Sequence, residues 1–232
     1  NDLTLKGVVL LERWSGDAGP SRPDTTLRTG LAQWNLDSGL LNADGPVLAQ
    51  RRDSEGTVLE QLRGRGLQGN TQVGDLMVKA PVVVRMPRQE GVLKALDTTW
   101  NFRTQTVRSA QPFEAELGKT RIDGRGFQAE LEKSTVVVNG DCRIQQPGES
   151  LSAQTCQWNW GTEAVLAEGN VQLRRDANEQ MTRASRLEGQ VGEQGRITFL
   201  APGGKVESKL RVPSQRSTES SPRPRKSAPV AF

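Results

Sequence analysis

Apolar and polar residues alternate at a spacing of two through much of the chain. Examples are TVVVNGDCRI (135–144), GNVQLRR (169–175) and GRITFL (195–200). Gly, Asn, Asp or Pro falls between such runs, which recur about every ten residues. That rhythm predicts short antiparallel strands joined by turns. Helical patterning is scarce: no window of a dozen residues keeps apolar positions at i, i+3, i+4 and i+7 without an intervening Gly or Pro. The expected fold class is all-β.

The strands repeat. Trp-Asn occurs three times, opening WNLDSGLLNADGPVLAQ (34–50), WNFRTQTVRSAQPFEAE (100–116) and WNWGTEAVLAEGNVQLR (158–174). Counted from each Trp, position +2 is Leu36, Phe102 or Trp160, and position +9 is Ala43, Ser109 or Ala167. Position +13 is Val47, Phe113 or Val171. A later block recurs as GRGLQGN, GRGFQAE and ASRLEGQ, which spaces Leu67, Phe127 and Leu187 sixty residues apart. APVVVRMP, KSTVVVNG and GRITFLAP follow. The unit is therefore roughly 60 residues of several strands, and residues 1–16 read as part of a preceding unit. Units of this size stack because none can bury its apolar face alone.

Strand side chains alternate faces, so each Trp and its +2 partner should point the same way, with Asn toward solvent or a turn. On this reading Trp-Asn begins a strand three times over. Gly45 and Gly169 fall at bends, and Gln111 at the same place makes the middle copy bend differently. The stretch RRDSEGTVLEQLRGRG (51–66) reads as a longer loop.

Composition narrows the chemistry. The chain has 232 residues and no His, which removes the commonest general base and the commonest metal ligand. With only Cys142 and Cys156 besides, no metal site is expected. Most of the net charge of +4 lies at the C-terminus, where Arg216, Arg223, Arg225 and Lys226 face Glu219. The body mixes acids with bases and shows no cationic cluster interleaved with aromatics, which argues against a nucleic-acid partner. Residues 1–212 are expected to form one domain, and the Ser/Pro/Arg-rich residues 213–232 a disordered tail. A start at Asn1 implies a trimmed chain, and no apolar run reaches the 18 residues or so of a spanning helix.

The string AVLAEGNVQLRR followed by ASRLEGQVGEQGRITFLAPG is similar to the repeat of the OstA-like family, the LptA and LptC proteins of lipopolysaccharide export. The likeness covers about residues 30–212 and is strongest over 150–203. It implies an elongated, half-open β-jellyroll whose apolar interior shields lipid acyl chains. It also implies a periplasmic setting, with no cofactor and no enzymatic activity. An ABC transporter would stand on one side and another jellyroll on the other, joined by edge-to-edge strand addition. The tail and irregular repeats favour the LptC role, in which an anchor outside this chain tethers the domain to the inner membrane. The alternatives are an LptA-like bridge, a structural β-solenoid without a ligand, and a carbohydrate-active β-helix.

The candidate interior comprises Trp34, Leu36, Val47, Leu67, Trp100, Phe102, Phe113, Phe127, Val136, Val138, Trp158, Trp160, Val171, Leu173, Leu187, Ile197 and Phe199. These residues either fill a closed core or line a groove. The run KVESKLRV (205–212), with Val206, Ser208, Leu210 and Val212 alternating, is the candidate edge strand for a partner. Cys142 and Cys156 flank a turn centred on Glu149. They would meet across a hairpin as a disulfide, or remain as two buried thiols. Carboxylate pairs Glu114/Glu116 and Glu130/Glu132 alternate with apolar residues in the manner of a solvated outer face, so no catalytic residue is expected.

Overall fold

Alternation along the long strands separates two environments: in the strand from Leu40 to Arg52, Leu41, Ala43, Val47 and Ala49 are buried while Leu40, Asn42 and Asp44 are exposed. The same pattern repeats in a computed structural model that describes residues 1–14, 23–79, 81–177, 179–190, 196–201 and 204–210. The first unit contains β1 (Asp2–Leu5), β2 (Val9–Arg13), β3 (Thr25–Thr29), β4 (Ala32–Asn35), β5 (Leu40–Arg52) and β6 (Val58–Asn70). The second contains β7 (Asp75–Val78), β8 (Val82–Met86), β9 (Gly91–Ala95), β10 (Thr98–Asn101), β11 (Thr106–Leu117) and β12 (Thr120–Glu130). The third contains β13 (Thr135–Val138), β14 (Cys142–Gln146), β15 (Glu149–Ala153), β16 (Thr155–Asn159), β17 (Ala164–Arg175) and β18 (Gln180–Gln190). Two short strands, β19 (Ile197–Leu200) and β20 (Glu207–Lys209), begin a fourth. All pairings are antiparallel, and among the described residues the one helical turn is a 3-10 turn at Pro87–Gln89.

The pairings divide every unit between two walls. One wall runs through β1, β4, the first half of β5, the second half of β6, and then β7 and β10. The other runs through β2, β3, the second half of β5, the first half of β6, and then β8 and β9. The second and third units repeat this scheme, which makes an elongated jellyroll of stacked strands. The long hairpins β5/β6, β11/β12 and β17/β18 belong to both walls and bend where their register shifts. The shifts lie between Ala43 and Pro46, Ser109 and Pro112, and Glu168 and Val171. Each is a β-bulge, which bends and twists a strand locally. The short crossings between walls lie on this same corner, tied to the bulges by backbone bonds. Lys79 N–H donates to Gly66 O, Asn139 N–H to Gly126 O and Gln154 N–H to Gly169 O. The described turns lie on the opposite flank, where no backbone pairing joins the walls among the described residues. The section is a V, closed at the corner and open opposite.

The bulges correct the expectation for the middle copy. Units one and two bend alike, with left-handed backbone at Gly66 (φ 73°) and Gly126 (φ 72°) facing the bulge. Unit three differs: there the bulge residues Gly169 (φ 76°) and Asn170 (φ 52°) take that conformation themselves. Residues 51–66 are not a long loop either. Arg51 and Arg52 end β5 and Val58 begins β6, leaving a turn of Asp53 to Thr57 whose Asp53 carboxylate accepts the Glu55 and Thr57 N–H groups.

Trp-Asn ends a strand in each copy rather than beginning one. The Asn side chain fastens the turn that follows. Asn101 Oδ1 accepts from Arg103 and Thr104 N–H at 3.0 and 2.8 Å, and Asn159 Oδ1 from Gly161 and Thr162 N–H at 2.9 Å each. Asn35 Oδ1 accepts from Ser38 N–H at 2.7 Å. Each Nδ2 donates to the neighbouring strand, at Asp2, Asp75 or Thr135. Asn is suited to this because its short amide reaches backbone groups two and three residues on. Leu36 follows Asn35 into the turn and is 43% exposed, so it is not an interior residue.

Cys142 and Cys156 are bonded, with Cα atoms 5.9 Å apart. The expected geometry needs correction. Cys142 pairs with Ala153 in the β14/β15 hairpin, whereas Cys156 lies on β16 between Val138 and Ala167. The bond therefore joins the two walls at the closed corner, not two partners across one hairpin. Both sulfurs are buried in the core cluster of units two and three. Of the described residues in the run, 205–210, only Glu207–Lys209 forms a strand, paired with Met181–Arg183; Val206 and Leu210 flank it and are exposed. Val212 and the tail 213–232 lie outside the described residues.

Two outcomes follow for stability. A Cβ on Gly124 would stand 2.5 Å from Val138 Cγ1. Gly124→Ala should therefore destabilise by about 1–3 kcal/mol in urea unfolding. Serine at both Cys142 and Cys156 should cost about 3 kcal/mol in the same measurement, the contribution expected for a loop of this length.

Candidate functional site

The inner face of each wall follows from the registers. In the wall carrying the tryptophans, one row of cross-strand neighbours reads Trp34, Leu41, Gly69, Leu76, Trp100, Val107, Ala129, Val136, Trp158, Val165, Gly189 and Ile197. Each Trp is followed by an aliphatic residue, a small one and another aliphatic one. A second row, nearer the corner, places small Ala32, Thr98 and Cys156 two residues before each Trp on the same face. All three are buried. The opposite wall contributes Leu62, Val84, Leu93, Ala115, Ile122, Ile144 and Leu151.

Between the walls runs an apolar cavity of about 190 Å³ that reaches from the first unit into the third. Its lining includes Ala49, Leu62 and Val84, continues through Leu93, Phe113, Ile122 and Phe127, and ends at Trp158 and Trp160. Met86 and Leu117 on one lip, and Leu131 and Trp160 on the other, carry the lining to the turns of the open flank. Aromatic rings are set edge to face: Phe113 against Phe127 at 5.0 Å, Trp100 against Phe102 at 5.9 Å, and Trp158 against Trp160 at 6.4 Å between centroids. The walls are thus in contact at the corner and apart toward the flank, which makes the interior a groove.

Of the residues expected inside, Trp100, Phe113, Phe127, Val136, Val138, Trp158 and Trp160 line this cavity. Val47, Leu67, Val171, Leu173 and Leu187 are buried in the two core clusters, and Trp34, Phe102, Ile197 and Phe199 pack against those clusters partly buried. Apart from Phe113, the lining from the opposite wall was missed: Leu62, Val84, Met86, Leu93, Ala115, Leu117 and Ile122. Its signal lies in alternating runs such as TVLEQL (57–62) and GVLKAL (91–96), which carry no tryptophan to align them.

Charge is confined to the lips and outer faces. Glu114 pairs with Arg121 and Glu130 with Lys133, so these carboxylates face solvent beside a cation and away from the groove. At the first-unit lip, Arg51 donates from Nε and Nη2 to the Glu60 carboxylate at 2.5 and 2.6 Å. At the third-unit lip, Arg175 Nε donates to Glu149 at 3.0 Å. The middle unit places Leu117 where Arg51 and Arg175 stand, Thr120 where Glu60 stands and Gly91 where Glu149 stands. Two groups on the flanking turns titrate away from their ordinary values. Desolvation works to raise the Asp53 pKa, but the Thr57 N–H, the Arg88 charge and the Glu55 N–H outweigh it and hold the carboxyl below the usual range. A hydrogen bond to Glu130, and then that carboxylate's charge, raise the Lys133 pKa. The Asp53 contribution to stability is present above the ordinary carboxylate value and is lost as pH falls through the lowered one.

No group of three or more metal-ligating side chains converges among the described residues, and no helix there is long and apolar enough to cross a membrane. The groove offers contact area and few directional bonds. Compared with known proteins, the chain matches no family model and no curated protein.

The Arg51–Glu60 pair is partly shielded and doubly bonded, so a double-mutant cycle with Arg51→Ala and Glu60→Ala should return a coupling of about 1 kcal/mol in denaturant unfolding.

Proposed function

We propose that this chain is a non-enzymatic lipid carrier of the lipopolysaccharide-export type, which holds acyl chains between its two walls. The supporting observation is the apolar groove itself, which spans successive units and reaches the flank through Met86, Leu117, Leu131 and Trp160. Moving a methylene from water into such a lining is worth about 0.8 kcal/mol, so a chain of about a dozen carbons has roughly 10 kcal/mol available. Spread over many side chains, that energy suits capture without a fixed stop: no one contact dominates, and a chain can advance by exchanging one apolar neighbour for the next.

The setting proposed is the periplasm, in the LptC-like role between an ABC transporter and a further jellyroll. Edges left unpaired among the described residues support it. There, β1 and β2 expose one edge of each wall, and β19 and β20 the other. Such edges accept another chain's strand. A ligand-free scaffold would be expected to close its core on both flanks, and the groove disfavours that reading.

A photoactivatable residue at Leu131 or Trp160 should capture lipopolysaccharide, while the same probe at outward-facing Glu114 should not. Ala129 lies on the groove wall between Val107 and Val136. Ala129→Trp should therefore reduce capture at least about tenfold, with circular dichroism unchanged. Equal capture at Glu114, or full capture with the groove filled, would refute the reading.

A further inference from the structure

We infer that the groove takes an alkyl chain in one orientation, with a neutral hydrogen-bonding group at the first-unit end and the hydrocarbon terminus toward Trp158 and Trp160. This rests on the lipid-carrier reading and gives that groove a polarity. The carrying observation is Thr25. It lines the groove, is 4% exposed, and its Oγ1 has no hydrogen-bond partner among the described residues. A buried hydroxyl left unpaired is unfavourable, and a ligand atom that pairs with it gains accordingly.

The neighbours of Thr25 set the chemistry of that ligand atom. Arg51 is its partner across β3 and β5, and Glu60 is the partner of Arg51 across β5 and β6, so the three share one face. The guanidinium is held by the Glu60 carboxylate through two nitrogens, and the two charges cancel. A carboxylate or phosphate placed there would meet Glu60 and compete for an occupied cation. A hydroxyl, ester or amide meets Thr25 Oγ1, which both donates and accepts, with the Gln89 side chain also on the lining.

The far end offers less. Trp158 Nε1 is likewise buried without a partner, but an indole N–H only donates, and Val136 and Val138 surround that end with hydrocarbon. A polar group there has one bond to make; at Thr25 it has several. The same bias would draw each tail of a lipid into the groove with its linkage oxygen toward the first unit.

The test uses tryptophan emission of the full chain titrated with two brominated alcohols, 2-bromododecan-1-ol and 12-bromododecan-1-ol. Bromine quenches indoles on contact and so reports where each end of the chain lies. The 12-bromo isomer should quench about threefold more strongly than the 2-bromo isomer. That difference should vanish when Trp158 and Trp160 are both replaced by Phe. Thr25→Val should weaken binding of either alcohol about fivefold, the factor one neutral hydrogen bond supplies, and Thr25→Ser should restore it. Equal quenching by the isomers, stronger quenching by the 2-bromo isomer, or unchanged affinity in Thr25→Val overturns the orientation while leaving a chain in the groove. Quenching by neither isomer overturns the carrier reading itself.

Discussion

Backbone hydrogen bonding across the long hairpins is the constraint on which the rest of the structure depends. A strand pair that must line two walls has to bend without abandoning its ladder, and the β-bulge permits this at the cost of one unpaired step. On β6, inward-facing residues fall on odd numbers at Leu67 and on even numbers at Leu62, because the bulge shifts the register by one. On β12 the same change separates Phe127 from Ile122. A slip of one residue normally turns an apolar face outward. Here the slip coincides with the bend, so both halves of the hairpin keep their apolar side chains inside.

The open flank is a consequence of the same device. The described crossings between walls sit at the corner, where small residues and glycines let the strands approach, and in the third unit a disulfide reinforces the contact. The turns stand on the other side, with Asn35, Asn101 and Asn159 supplying the hydrogen bonds their backbones require. Each wall is satisfied within itself. Nothing in the backbone demands that the walls meet at the flank, so bulky residues such as Trp100, Trp158 and Phe113 can hold them apart. A chain of methylenes is the kind of ligand that such a space accommodates, because hydrocarbon asks only for contact area.

The repeated substitutions within the pattern locate the differences among units. The lip position occupied by Arg51, flanked by Thr25 and Glu60, in the first unit is Leu117 with Gly91 and Thr120 in the second and Arg175 with Glu149 and Gln180 in the third. Arg51 and Glu60 thus line the groove at the first unit, and Met86 and Leu117 line it at the middle one. Cys142 and Cys156 fall where Val82 and Thr98, both buried, stand in the preceding unit.

Much of this was legible along the chain. Period-two alternation determined that the protein is all-β, and the 60-residue recurrence of Leu67, Phe127 and Leu187 determined that its units stack, because both depend on which face of a strand each side chain occupies. Burial of Ala43, Ser109, Ala167, Val47, Phe113 and Val171 follows from the same rule. What the pattern could not supply was the partner of each half-strand. Only the tertiary structure decided that Trp-Asn closes a strand, that Leu36 leaves the interior, that the cysteines join two walls, and that the wall facing the tryptophans is built from strands without any. These outcomes depend on bulges and on pairings between residues distant in sequence. Alternation along a strand says which way a side chain points, and nothing about what stands opposite.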